Sequence, residues 1–242
     1  MNKRFLIIGV IFLLTATLTG CLFPNEELGK NKIPNESQVK MVEEAVLQYM
    51  DETDGLIPIK TKEADIDAYD KYLIDFTTLK ERQLISEIPG TAFENGGVYQ
   101  YVIVTPEEDP RVKLIDLRIT EAIRSVNVKL DTYRSKHLYP PFGDEVADGL
   151  FSINYDKLGM KSPPEIISPF SQSTLPLLMN IEGELFVDFR IDLQQALEKY
   201  DHSFEEGDDI RSILVDHHAF VPAYSLGYTI KNGEVHFLET TE

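Results

Sequence analysis

The chain has 242 residues, 23 basic and 41 acidic, a net charge of −18, 43% hydrophobic residues and a single cysteine. One cysteine excludes an intrachain disulfide and a multi-cysteine metal centre. So acidic a surface excludes a partner held by its phosphate backbone, so no nucleic acid is expected, and the apolar content suffices for one or two packed domains.

Lys3 and Arg4 open the chain as a short basic start, and Phe5 to Leu18 follow as an apolar run of 14 residues. A membrane-spanning helix needs about 20. Leu18-Thr19-Gly20-Cys21 then supplies small residues at a cleavage point. All four positions resemble the lipobox of bacterial lipoproteins. The resemblance implies a signal peptide over residues 1–20, cleavage between Gly20 and Cys21, and a diacylglyceryl group on the Cys21 sulfur. It also implies localisation to the extracytoplasmic face of the cell membrane. Each buried CH₂ of an acyl chain contributes about 0.8 kcal/mol, and two or more chains give stable retention. Without Lys3 and Arg4 the net charge is about −20. Lipid rather than electrostatics is therefore expected to hold the chain to its membrane.

Residues 21–37 carry Pro24, Gly29 and Pro34 among several Asn and Glu and are read as a tether. Three amphipathic helices follow from periodicity. The first places Val42, Ala45, Val46, Tyr49 and Met50 on one face. The second does so with Ile119, Ala122, Ile123, Val126, Leu130 and Tyr133, and the third with Leu193, Ala196, Leu197 and Tyr200. Asn35 with Gln38 and Asp192 with Gln195 form the expected N-cap pairs. Val98 to Val104 and Lys113 to Leu117 read as strands divided by Pro106 and Pro110. Asn232-Gly233 is the clearest hairpin turn, because a type I′ turn needs positive φ at both central residues.

Each helix ends on a similar apolar-x-x-Tyr pattern. Ile74-Asp75-Phe76-x-x-Leu79 matches Ile153-Asn154-Tyr155-x-x-Leu158. Pro89, Pro169 and Pro222 follow. Glycine turns then lead into Gly97-x-Tyr99, Gly183-x-Leu185 and Gly233-x-Val235. The expected fold class is α+β, with tandem helix-plus-small-antiparallel-sheet units, an internal duplication and a shortened third copy. The units are placed at 38–118, 119–197 and 198–242.

Pro89-Gly90-Thr91-Ala92-Phe93-Glu94-Asn95-Gly96-Gly97, Lys113-Leu114-Ile115-Asp116-Leu117-Arg118 and Tyr139-Pro140-Pro141-Phe142 resemble an uncharacterised lipoprotein family of Bacillus-type spore-forming Gram-positive bacteria. Some members of that family are labelled as ABC transporter binding components. The resemblance implies no catalytic residue. A shorter pattern, helix–proline–glycine–hairpin, is also similar to the globular part of secretion pseudopilins.

Asp216-His217-His218 is the most site-like cluster, because two His and a carboxylate suit Zn²⁺ or general-base chemistry. Neighbours on a strand face opposite ways, so structural histidines are the expected role. Ser203-Phe204-Glu205-Glu206-Gly207-Asp208-Asp209 and Asp65-Ile66-Asp67 with Asp70 gather oxygen ligands of the kind that bind Ca²⁺. Neither stretch has EF-hand spacing, and solvated loops explain both equally well, so the sequence leaves Ca²⁺ binding open. Tyr49, Tyr99, Tyr101, Tyr133, Tyr139, Tyr155 and Tyr200 are read as core residues with the hydroxyl at the rim, against a glycan-binding groove. No nucleophile elbow, H-E-x-x-H motif or phosphate loop is present. The expected activity is non-enzymatic, without cofactor: binding of a protein or envelope partner at the membrane. The alternative is a solute-binding lipoprotein of an ABC transporter.

Overall fold

Residue 36 begins helix α1 (Glu36–Glu52), which buries Val42, Ala45 and Val46 on the face set by the helical period. A computed structural model describes residues 36–60 and 67–238. Gly20, Cys21, Asn35, Asp65 and Ile66 lie outside the described residues. The α1 helix stops where Thr53 Oγ1 bonds the Tyr49 carbonyl at 2.6 Å and Gly55, at φ +90°, donates to the Met50 carbonyl. Two short helices, α2 (Ala68–Lys71) and α3 (Phe76–Glu81), are N-capped by Asp67 and Asp75. Strands β1 (Tyr99–Val104) and β2 (Arg111–Asp116) form an antiparallel hairpin.

Both edges of that hairpin are covered, which removes the open hydrogen-bonding edge of a lone ribbon. On one side Ile74 N–H donates to the Tyr101 carbonyl at 3.0 Å and Ile103 N–H to Tyr72. On the other, Leu114 N–H donates to Ala219 and Val221 N–H to Leu114. The first core gathers Val42, Val46, Ile74, Phe76, Tyr101 and Leu114. Phe76 meets Tyr101 edge to face at 5.3 Å, and the Tyr101 hydroxyl shares a hydrogen bond with Thr91. Gly97 is required here, because a Cβ at that position would lie 2.0 Å from the Thr91 carbonyl oxygen.

Helix α4 (Leu117–Arg134) buries Ile119, Ile123, Val126 and Leu130. It packs under an antiparallel sheet of β3 (Phe142–Ala147), β4 (Leu150–Ile153), β5 (Leu177–Asn180) and β6 (Leu185–Val187), in that spatial order. Helices α5 (Arg190–Lys199) and α6 (Ser212–His217) and the hairpin β7 (Tyr228–Lys231) and β8 (Glu234–Phe237) complete the chain. Asn232 and Gly233 take φ of 54° and 83°, as the two-residue turn requires.

The α+β class is as expected, and the three periodic helices and the glycine-led strands are present. The duplication is not visible as a repeated element order. Among the described residues, 38–118 hold one hairpin, whereas the second region holds four strands. Gly97 leads into the first strand of its hairpin, and Gly183 sits in the β5–β6 turn before the second. Residues 198–242 form no separate core among the described residues. Ile210, Ile213, Leu214 and Tyr228 join the α4 core. Val215, Val221 and Ala223 join a small cluster with Leu73, Val102 and Ile115 that links the two cores.

Asp192 is not an N-cap. The helix begins two residues earlier, where the Asp188 carboxylate accepts the Arg190 N–H at 3.1 Å. Asp192 lies buried in the first turn and accepts from Ser168 Oγ at 2.8 Å. The Asp188 device recurs. Asp116-Leu117-Arg118, Asp188-Phe189-Arg190 and Asp209-Ile210-Arg211 each bind the arginine N–H and its guanidinium to one carboxylate. Each arginine also lies over an aromatic ring: Tyr99, Phe237 and Tyr69 respectively.

Candidate functional site

Asp216-His217-His218 ends a helix rather than lying on a strand. Asp216 accepts from Arg111 Nη1 at 2.8 Å. His217 stacks flat on Tyr200, with ring centres 3.6 Å apart and planes 4° apart. His218 meets the Phe170 ring edge-on at 5.3 Å. Burial, reinforced by Lys199, His217 and Lys113, holds the His218 pKa below the usual imidazole range. Lys113 Nζ donates to the His218 carbonyl at 2.8 Å, and burial pulls its own pKa down. These groups face α1 across an open pocket of about 360 Å³ in which Lys40, Lys113, Glu43 and Asp216 mix both signs. Tyr200 thus contacts both imidazoles, since it also meets His218 edge-on at 6.4 Å. Among the described residues no three His, Cys, Asp or Glu are placed to share a metal ion.

The acidic stretches meet, but on an arginine. Arg211 is 8% exposed; it binds Asp209 in a fork and donates to Asp67 at 2.9 Å and Ser225 at 3.3 Å. Burial lowers its pKa and the hydrogen bonds and charges of Asp209 and Asp67 raise it, with a net rise. Asp70 accepts from Tyr224 N–H, Asp208 from Glu205 N–H, and Glu206 pairs with Lys231. Two segments far apart in sequence are thereby stitched together.

A larger concavity opens at one end of the four-stranded sheet. The β3–β4 and β5–β6 turns face the β7–β8 hairpin across a groove of about 840 Å³. Leu226, Val235, Phe237 and Leu238 form its apolar wall, and Val146 and the 61% exposed Ile181 stand at its mouth. Asp148, Glu182 and Glu234 bring negative charge to the rim. Arg190 lies in the groove already neutralised by Asp188, with its guanidinium 4.6 Å over the Phe237 ring. The volume lies within the usual range of ligand sites, about 300–1,000 Å³. Sequence reasoning missed this site, because its walls come from segments about 30 to 90 residues apart.

The tyrosines divide. Tyr99 and Tyr101 are buried, whereas Tyr49, Tyr133, Tyr155 and Tyr200 pack half-buried against the cores. Tyr139 is 58% exposed on a loop and is not a core residue. Tyr228, fully buried between β6 and α5, went unrecognised in the sequence.

Residues 35–116 match the family model of the YphF family N-terminal domain, an uncharacterised family. The match runs from the residue before α1 to the last residue of β2, the stretch that builds the first core. No curated protein and no solved structure matches the chain. No helix among the described residues is long and apolar enough to cross a membrane.

Proposed function

We propose that this is a lipid-anchored extracytoplasmic protein that works by binding a protein or envelope partner, not by catalysis. The groove at the sheet end carries the binding part of this reading. It combines an apolar wall, a carboxylate rim and backbone turns of two hairpins, the makeup of a recognition surface. The lipobox-like Leu18-Thr19-Gly20-Cys21 supports the anchor. In the histidine cluster Tyr200 and Phe170 pack on the two rings, and no three His, Cys, Asp or Glu among the described residues are placed to share a metal ion.

Two experiments test the two halves. Cys21→Ser should abolish labelling by a fatty-acid analogue and release the chain from membranes; persistent label refutes the anchor. A photo-crosslinking amino acid at Ile181 should give a discrete adduct in intact cells that the same probe at Val128, 61% exposed on α4, does not. Identical adduct patterns from both positions, or none from Ile181, refute the groove as the binding surface.

A further inference from the structure

The end of α4 concentrates positive charge in an acidic molecule. Lys129, Lys136 and Lys157 line a pocket of about 280 Å³ together with His137, and no carboxylate is among its lining residues in the described part of the chain. Asp131 and Asp156, the acids nearest in sequence, are not among its lining residues. His137 packs on Tyr133 beside the lysines, with ring centres 4.1 Å apart. Immediately after it, Leu138 is fully exposed, at 105%, and Tyr139 is 58% exposed. Pro140 and Pro141 then return to the interior. The apolar tip thus lies between a helix end and two buried prolines. The β5–β6 turn abuts this loop, since a Cβ on Gly183 would sit 3.3 Å from Pro140. That turn carries Ile181, 61% exposed.

A helix C-terminus attracts cations by its dipole, which accounts for Lys136. It does not account for a leucine and a tyrosine projected into water beside them. Basic residues around an exposed aliphatic–aromatic tip are the makeup of a membrane-interface contact, with ammonium groups at phosphates and the tyrosine at headgroup depth.

We propose that this tip docks on anionic phospholipid, with headgroup phosphates settling against Lys129, Lys136 and Lys157 while Leu138 and Tyr139 enter the interface. The proposal rests on the lipid-anchor reading and adds an orientation to it. The anchor brings the domain to the bilayer, and the molecule's negative field opposes approach in most orientations. The basic pocket lowers that repulsion in one of them. The groove then opens beside the membrane, because Ile181 belongs to the turn that touches the loop.

The test uses the full, processed chain, purified from membranes and reconstituted into vesicles. Cys21 is the chain's only cysteine, so once it carries lipid a probe attached through Leu138→Cys labels one site. Quenching by spin-labelled lipid should be at least about twofold in phosphatidylglycerol vesicles and weak in phosphatidylcholine, with an exposed Leu56→Cys control unquenched in both. Lys129→Glu, Lys136→Glu and Lys157→Glu should each weaken the contact by roughly fivefold or more. Three results overturn the proposal: an unquenched Leu138 probe on retained protein, equal quenching at Leu56, or quenching indifferent to both lipid charge and the lysines. Retention on an anionic wall polymer with an unquenched probe overturns it as well. Mass spectrometry reads the anchor separately. If Cys21 carries no lipid, co-sedimentation decides: preference for phosphatidylglycerol over phosphatidylcholine vesicles upholds the docking tip, and its absence refutes it.

Discussion

Tyr228→Phe removes one oxygen from the centre of the second core. The Tyr228 hydroxyl accepts the Phe189 N–H at 3.0 Å and donates to the Val187 carbonyl at 3.1 Å. Tyr228, Phe189 and Val187 are all 0% exposed, so water cannot replace the lost partner without opening the core. The ring stays, with its packing on Phe237 at 5.2 Å, and the packing change is therefore small. The cost is a buried N–H left without an acceptor at the start of α5, about 1–3 kcal/mol. For a chain of this size about 2 kcal/mol lowers Tm by about 4–8 °C. Thermal and urea unfolding followed by circular dichroism measure it, with the exposed Tyr139→Phe as control. A Tyr228→Phe shift within about 1 °C of that control refutes the assignment of this hydroxyl as the link between β6, α5 and β7.

Arg211→Met leaves the Asp67 and Asp209 carboxylates without their shared cation. Both are about a third exposed, so the expected loss is about 2 kcal/mol, less than the 3–5 of a fully buried broken pair, read by urea unfolding. Amide exchange should quicken over 67–72 in the same variant. Gly97→Ala should cost about 3 kcal/mol or more, because its Cβ meets the Thr91 backbone at 2.0 Å, whereas Gly90→Ala, with nothing within 4 Å, should be near neutral. Burial pushes the Tyr69 and Tyr155 pKa values from 10.0 up to about 12. A raised folded-state pKa gives stability that is intact below the unfolded value and lost as pH rises through the folded one. The contribution of these tyrosines to the urea midpoint should thus hold up to pH 10 and fall between pH 10 and about 12. Tyr155→Phe should flatten that fall.

Helix periodicity was legible because α1, α4 and α5 each bury one stripe, and a 3.6-residue period survives in sequence when one face meets the core. Val42, Val46, Ile123, Leu130 and Leu193 are all buried as that pattern requires. The Asn232-Gly233 turn was legible because its backbone needs leave few residue choices. Strand partnership was not. Gly97 and Gly183 look alike in sequence because each precedes alternating apolar residues, yet one introduces a first strand and the other a second. Alternation reports a half-buried strand and says nothing about its neighbour. The exposed tip was missed for a related reason: Leu138-Tyr139-Pro140-Pro141-Phe142 reads as a hydrophobic segment, and only the fold separates its buried prolines from its projecting Leu and Tyr.

The Asp-x-Arg pairs recur as a local device at helix starts, without the units at 38–118 and 119–197 repeating one element order. β1–β2–Asp116-x-Arg118–α4 and β5–β6–Asp188-x-Arg190–α5 share the order hairpin, carboxylate, arginine, helix. In both, the Asp accepts the N–H at the helix start, and the arginine, tied back to the same Asp, lies over a ring from a neighbouring strand, Tyr99 or Phe237. An aspartate at a helix start satisfies a free N–H and complements the dipole. The added arginine neutralises the carboxylate, so the strand can enter the core directly before the helix: Asp116 is 4% and Asp188 6% exposed without either charge being left alone. Asp209-x-Arg211 uses the same chemistry where Arg211 is the buried member and reaches across to Asp67. Disrupting the shared device should therefore have unequal effects. Asp116→Asn keeps the acceptor for Arg118 N–H and leaves a 56% exposed arginine side chain that water solvates, whereas Asp209→Asn leaves Arg211, its side chain 10% exposed, with Asp67 as its paired carboxylate among the described residues. Urea midpoints should drop more for Asp209→Asn than for Asp116→Asn. The reverse order would mean that helix capping, not charge burial, governs these pairs.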